Sequence, residues 1–294
     1  MTDQRNKRPA ISDLPTAVSY VIKLIDEGAG NLLAISGAGI SVDSGIRAYR
    51  GAKGSYIINK SYRPIFFHEF VESHSFRIRY WARSYLGYPT VRVAEPNVGH
   101  HAVAALMKMG YIRHLITQNV DRLHHKALGV KQDRNHPDYY HPDPNILELH
   151  GTLKHVNCLS CGHQIDRDDF QDLLSDLNPS WKHYADDLQS IGQEVKTNPD
   201  GDADVREKSF DSFVVPNFKE LKEKSGSQIG MINIGTTRAD ELIDWKIGSH
   251  LDAGGLGCSQ VLREVGFQLA ARRRLPDSHP AIKLLHSGVM KALD

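Results

Sequence analysis

Glycines set directly behind a short apolar run are the first sign of chemistry in this chain. In "NLLAISGAGIS" the segment Gly37-Ala38-Gly39-Ile40-Ser41 follows strand-like residues. Glycines there let backbone N–H groups approach a pyrophosphate, and a following helix N-terminus adds its positive dipole end. A dehydrogenase fingerprint would place a glycine where Val42 stands and an acid about 20 residues further on. The corresponding region reads "SYIINKSY" and has no acid. The loop therefore reads either as dinucleotide binding without hydride transfer or as a tight strand-to-helix turn. A second polar run, Thr117-Gln118-Asn119-Val120-Asp121, closes another apolar segment. Its amide and carboxylate groups suit ribose hydroxyls and a carboxamide, or the capping of a turn. His150, followed by Gly151, is an imidazole with room beside it; near its reference pKa of about 6.5 it is a competent base at neutral pH. A structural histidine is the alternative. Cys158-Leu-Ser-Cys161-Gly162 is half of a tetrahedral zinc site, which needs two more ligands. Cys258 lies too far downstream to supply one, and His155 or His163 would substitute poorly. A redox Cys-x-x-Cys is the rival reading.

Helices and strands must hold these groups in place. Over "PTAVSYVIKLIDE", Val18, Val21, Ile22 and Ile25 recur at helical spacing, and Gly28-Ala29-Gly30 stops the helix. "NLLAIS" then suits a buried parallel strand. "HHAVAALMKMG" and "IRHLITQNVD" repeat the order helix then strand. This alternation predicts an α/β parallel sheet whose ligands sit beyond the strands' carboxyl ends. Between the units, "FFHEFVESHSFRIRYWARSYLG" is helix-like, with Phe70, Val71, Phe76 and Tyr80 as a packed face. "KQDRNHPDYYHPDPN" has the prolines of a loop; His136 and His141 could chelate a metal there, but a solvated insertion is the simpler reading. Residues from His155 to about Ser212 read as an inserted module: a hairpin around the cysteines, a helix at "DDFQDLLSDL" and a polar loop. In that loop "DGDAD" lacks the glycine and glutamate placement of a calcium site. "IGMINIG" returns to a strand, and "SQVLREVGFQLAARRR" is an amphipathic helix with Arg272 to Arg274 at its favourable end.

A length of 294 residues accommodates one large domain, or one large and one small. Lys+Arg 36 against Asp+Glu 35 leaves a net charge of +1, which recruits neither nucleic acid nor an anionic membrane surface. Three cysteines are too few for a disulfide framework and point to a reducing compartment. There is no apolar run of about 18 residues, and the N-terminus has no apolar signal core. Asp3 and Asp13 beside Arg5, Lys7 and Arg8 match a mitochondrial presequence poorly.

Taken together and in order, "GAGIS…GI…YRG", "TQNVDRLH", "LHG" and "CxxCG", from Gly37 to Gly162, resemble the sirtuins. "RPI", "RYWARSYLGYP", "PNVGHHA", "LNPSW" and "PDGD" are similar to the class II branch, the relatives of the fourth mammalian sirtuin, which are usually mitochondrial. The resemblance implies a Rossmann-like α/β fold with a small inserted zinc-ribbon-like module, here incomplete. It divides the chain into an NAD-binding part at 14–154, a module at 155–216, a return at 217–265 and a tail at 266–294. It implies NAD-dependent protein deacylation: acyl transfer from acylated protein lysines to ADP-ribose, with NAD as co-substrate and nicotinamide released. Some members transfer ADP-ribose instead, and both reactions begin by cleaving the same bond. By resemblance His150 is the general base, and Gly37, Ala38, Gly39 and Ser41 meet the phosphates. Gln118 and Asn119 meet the ribose and Asp121 the nicotinamide side. Tyr49 covers the reactive ribose, with Arg50 next to it, and Asn233 faces the adenosine. Zinc would be held by Cys158 and Cys161. Membrane and direct nucleic-acid partners are not implied. The implied location is the mitochondrial matrix, with cytoplasm or nucleus as alternatives.

Three departures from the family pattern carry physical consequences. Ala48 stands where an acid usually contacts the carboxamide, and a lost charge-assisted hydrogen bond is worth roughly 1.5–3 kcal/mol. After Pro216, the stretch Asn217 to Gly230 replaces a strand-helix-strand unit that needs about 30 residues. The expected result is a sheet short of a central strand, with unpaired backbone and exposed apolar faces. Zinc has two of its four ligands. These departures support a second reading, an NAD-binding or regulatory protein without turnover; a redox or metal-binding protein using Cys158 and Cys161 is a third.

Overall fold

Asp13 begins the first described element by accepting a hydrogen bond from the Thr16 N–H at 2.8 Å, and Pro15 in the first turn needs no donor partner. In this computed structural model the described residues are 13–46, 64–130, 143–157, 159, 164–190, 212–215 and 258–288. Helix α1 (Leu14–Gly28) buries Ala17, Val18 and Ile25, and Ala29 closes it in the left-handed conformation. Strand β1 (Leu32–Ser36) follows, then a 3-10 helix at Ala38–Ser44. Next come α2 (Phe67–Glu72), α3 (His74–Val93), α4 (Val98–Lys108), β2 (Ile112–Thr117), α5 (Leu123–Ala127) and β3 (Ile146–Glu148). The module contains β4 (His155–Asn157), β5 (Gln164–Asp166), α6 (Arg167–Leu177) and α7 (Pro179–Ser190); α8 (Cys258–Arg272) and α9 (Pro280–Leu285) close the chain.

The strands β1, β2 and β3 form a parallel sheet in that order, the α/β arrangement expected from the alternation of elements. Ala34, Leu115 and Ile146 lie in one row across it and face the helices. On that side α1, α4, α8 and α9 supply Val18, Leu106, Val265, Leu269 and Leu285 to a common core. The opposite row is different. Leu33 and Ile35 are 53% and 64% exposed, and Leu147 and Leu149 are 56% and 52% exposed. The expectation of a buried β1 is therefore corrected: helices cover one face, and the other presents its apolar side chains to solvent. Among the described residues β1 and β3 are both edges of the sheet.

A second core is aromatic. Trp81 packs on Phe170 at 4.6 Å between ring centroids, Tyr80 meets Phe70 and Trp81 edge-on at 5.2 Å each, and Trp181 meets Phe213 at 5.0 Å. It joins α2 and α3 to α6, α7 and the β4–β5 hairpin, so these two helices share the module's core although they precede it in the chain. Arg167 is buried at this junction. Its guanidinium lies 4.0 Å from the Tyr88 ring centre and donates to Gln171 Oε1 and Ser84 Oγ. The predicted single helical face breaks at Ser73 into two helices, and Val71, expected inside, is 43% exposed. Likewise residue 266 falls within α8, and Leu269, Ala281 and Leu285 of the supposed tail are core. Replacing the fully buried Phe170 with alanine should cost about 3–5 kcal/mol. A fall in the denaturant midpoint at unchanged slope measures it.

Candidate functional site

At the carboxyl end of the sheet, a buried hydrogen-bond network ties the loop after β1 to the loop after β2. Ser41 is fully buried, and its hydroxyl donates to Asp121 Oδ2 at 2.7 Å. The Ser41 oxygen therefore accepts from its other two neighbours, Asn119 Nδ2 at 3.0 Å and His100 Nε2 at 3.3 Å. This assigns the proton of His100 to Nε2 and leaves Nδ1 to accept the Asn97 N–H at 3.3 Å. Asn119 also donates to the Gly37 carbonyl at 3.1 Å, and Asn97 donates to the Ile40 carbonyl at 2.7 Å. The glycine loop is thus held from beneath at three points. Gly45, at φ 89°, ends the 3-10 helix in a conformation that favours glycine.

A parallel set of contacts fixes the strand ends. Ser36 donates to Thr117 Oγ1 at 2.9 Å and so accepts from His124 Nε2, also at 2.9 Å; the Asn119 N–H adds a bond to Thr117 Oγ1. The rings of His100 and His124 meet edge to face at 4.8 Å. Burial is the main cause of their low basicity: His100 is lowered to about 3 and His124 lies well below 6.5, so both are neutral at physiological pH. Burial raises the Asp121 carboxyl, against the opposing pull of the Leu123 N–H and the Ser41 hydroxyl.

His150 lies in the turn after β3, beyond the same end of the sheet. Leu149 N–H donates to the Thr117 carbonyl and Leu153 N–H to the Val120 carbonyl, which ties this turn to the β2 loop. Gly151 at φ +82° permits the turn, and a Cβ there would meet no heavy atom within 4 Å. The His150 ring is half-buried, its Nε2 makes no hydrogen bond to a described residue, and burial lowers its pKa from 6.5. Gln118 stands against Gly37: a Cβ there would lie 3.8 Å from Gln118 Nε2.

The structure therefore brings together Gly37, Ala38, Gly39, Ser41, Gln118, Asn119, Asp121 and His150. It turns Ser41 and the Asn119 amide inward, where they hold the loop; backbone at Ala38 and Gly39 remains on the outside. Ser36, Asn97, His100, Thr117 and His124 carry no individual role in the sequence motifs. Two signals point to them: "PNVGHHA" caps a helix through Asn97, and a polar residue ends each strand. Tyr49, Arg50, Ala48, Asn233, Cys158, Cys161, His136, His141 and the strand at "IGMINIG" lie outside the described residues. Behind Asp121, a cavity of about 440 Å³ opens between the sheet ends and the module, lined by Tyr88, Arg92, Arg122, Lys154 and Asp168 among others.

Residues 37–198 match the Sir2 family, and this match spans more than half of the chain. The chain belongs to the Sir2 family. A protein named NAD-dependent protein deacylase SIR4, from Batrachochytrium dendrobatidis, is 39% identical over 207 residues, 69% of this sirtuin and 64% of its own length. The Arabidopsis thaliana protein named NAD-dependent protein deacylase SRT2 is 40% identical, covering 76% of this chain and 71% of its own. That alignment runs over 286 positions while occupying 76% of the 294 residues here, so several dozen positions of the relative have no counterpart in this sirtuin. One solved structure, described as the structural basis for the mechanism and regulation of Sir2 enzymes, aligns at a TM-score of 0.44 and 20% identity, over 89% of this chain and 99% of that one. The fold of this sirtuin is Rossmann-like, with its polar network at the carboxyl ends of parallel strands.

Removing the Ser41 hydroxyl in Ser41→Ala would leave Asp121, Asn119 and His100 each short of a buried partner. The expected loss is about 1–3 kcal/mol of stability, read as a lower denaturant midpoint, with the Asp121 carboxyl driven further up.

Proposed function

We propose that this chain is an NAD-dependent protein-lysine deacylase, with His150 as its general base. The supporting observation is that a half-buried imidazole, its Nε2 buried and without a hydrogen bond to any described residue, shares one end of the sheet with a glycine loop clamped from behind. The local geometry fits a dinucleotide. Gly39 is exposed, and a Cβ there would meet nothing within 4 Å, so the loop backbone is open to a pyrophosphate.

NAD, when bound, supplies the ribose carbon that takes the acyl oxygen of lysine and releases nicotinamide. Ala38 and Gly39 would bind the phosphates through backbone N–H groups, with Ser41 fixing their direction from beneath. Gln118 would orient the ribose, Asn119 would hold the glycine loop from beneath rather than reach the ribose directly, and Asp121 would face the nicotinamide side. His150 Nε2 would accept the ribose hydroxyl proton, and its lowered pKa keeps it unprotonated at neutral pH. Tyr49, Arg50 and Asn233 complete the proposed set by resemblance. The same first bond cleavage also serves ADP-ribosyl transfer, which this reading includes as a second outcome. Acylated protein lysines are the proposed partners, and the mitochondrial matrix is the proposed location. No helix among the described residues is long and apolar enough to cross a membrane.

Nicotinamide release from NAD with an acylated lysine peptide tests the reading. His150→Ala should lower it by about 100- to 10,000-fold, the usual worth of a positioned acid–base group. Equal rates for the two proteins would leave the alternative, an NAD-binding protein without turnover.

Zinc fits poorly. A tetrahedral structural site needs four donors. The chain offers Cys158 and Cys161, which fall in sequence between β4 and β5, and Cys258 begins α8. Among the described residues no three His, Cys, Asp or Glu side chains form a metal cluster. Purified protein should hold well under one equivalent of zinc per chain by elemental analysis; a value near one would reinstate the site.

A further inference from the structure

We propose that Glu148 is a positioning residue for His150, and that the presence or absence of its proton sets how the His150 turn is held. The inference rests on the reading of His150 as base. Glu148 ends β3, two residues before His150. Its Oε1 is buried without a hydrogen bond to any described residue and lies 3.7 Å from His125 Nδ1. His125 belongs to α5, immediately after the loop bearing Asp121; its ring is fully buried, and neither nitrogen bonds a described residue. The two side chains thus meet where the Asp121 loop and the His150 turn converge.

The surroundings make this carboxyl responsive to pH. Burial raises it to about 7, Arg122 and a Thr152 hydrogen bond pull it down, Asp121 pushes it up, and Lys154 again pulls it down. His125 is lowered to about 4, first by burial and then by Arg122; Asp143 opposes this and Lys154 adds to it. At neutral pH His125 is therefore uncharged while Glu148 is divided between acid and carboxylate. In the carboxylate form Arg122, Lys154 and Thr152 draw Glu148 toward the segment that follows His150. In the acid form that charge-assisted pull is lost and the turn relaxes. Two ionisations should then govern His150: its own, below 6.5, and one near 7 belonging to Glu148.

Nuclear magnetic resonance of the full chain labelled in its histidine rings tests this without requiring turnover. The His150 ring signals of the parent should show both inflections, and Glu148→Gln should abolish the one near pH 7 while keeping the lower one. Nicotinamide release should follow. Above pH 7 the Gln variant should lose about tenfold in kcat, the worth of one charge-assisted hydrogen bond, with little change in KM for NAD. Glu148→Asp should restore a shifted inflection. A single inflection in the parent, or an unchanged pair in Glu148→Gln, would overturn the proposal. A parent that shows both inflections but releases no nicotinamide would instead sink the deacylase reading and leave the coupling standing.

Discussion

The hydrogen bond from the fully buried Ser41 to Asp121, 2.7 Å long, is the constraint on which the rest of the site depends. Because Ser41 spends its only proton there, its oxygen must accept, and this dictates the tautomer of His100 and one donor of Asn119. Asn119 in turn holds the Gly37 carbonyl, and Asn97 holds Ile40. One buried donor therefore sets the direction of the whole glycine loop. Such a bond is strong where the local dielectric is low, and its partners cannot turn to water when it breaks.

Neutral histidines are the second feature of this arrangement. His100 and His124 are too deeply buried to carry charge, so they act as fixed hydrogen-bond partners. Positive charge is concentrated elsewhere, at Arg92, Arg122, Lys126 and Lys154 around the cavity behind Asp121. The described residues of the loop, 37–46, carry no Lys or Arg and offer backbone N–H groups.

The two cores explain how the site is framed. The aliphatic core of α1, α4, α8 and α9 backs one face of the sheet, and the aromatic core joins α2 and α3 to the module. Parallel sheets are ordinarily covered on both faces. Here Leu33, Ile35 and Leu147 make a row of apolar side chains on the open face, while relatives carry aligned positions that this chain lacks. An apolar sheet face in water is a site of association.

The sequence by itself determined the order α1, β1, α4, β2, α6 and α8, the parallel sheet and the segments that converge at its carboxyl end. Helical spacing in "PTAVSYVIKLIDE", glycine stops and polar residues closing apolar runs are local signals, and they act within a few residues. It also identified Gly37 to Ser41, Gln118 to Asp121 and His150 as the groups to watch. Only the tertiary structure decided which way each group faces. Ser41 and Asp121 are 80 residues apart, as are Tyr88 and Asp168, and whether a hydroxyl points at a ligand or at a buried carboxylate depends on that long-range approach. The same holds for His125 and Glu148, and for Val71, whose exposure follows from the break at Ser73. Residue type sets what a side chain can donate or accept; burial and distant partners decide which capacity it uses, and no local pattern in the chain encodes those partners.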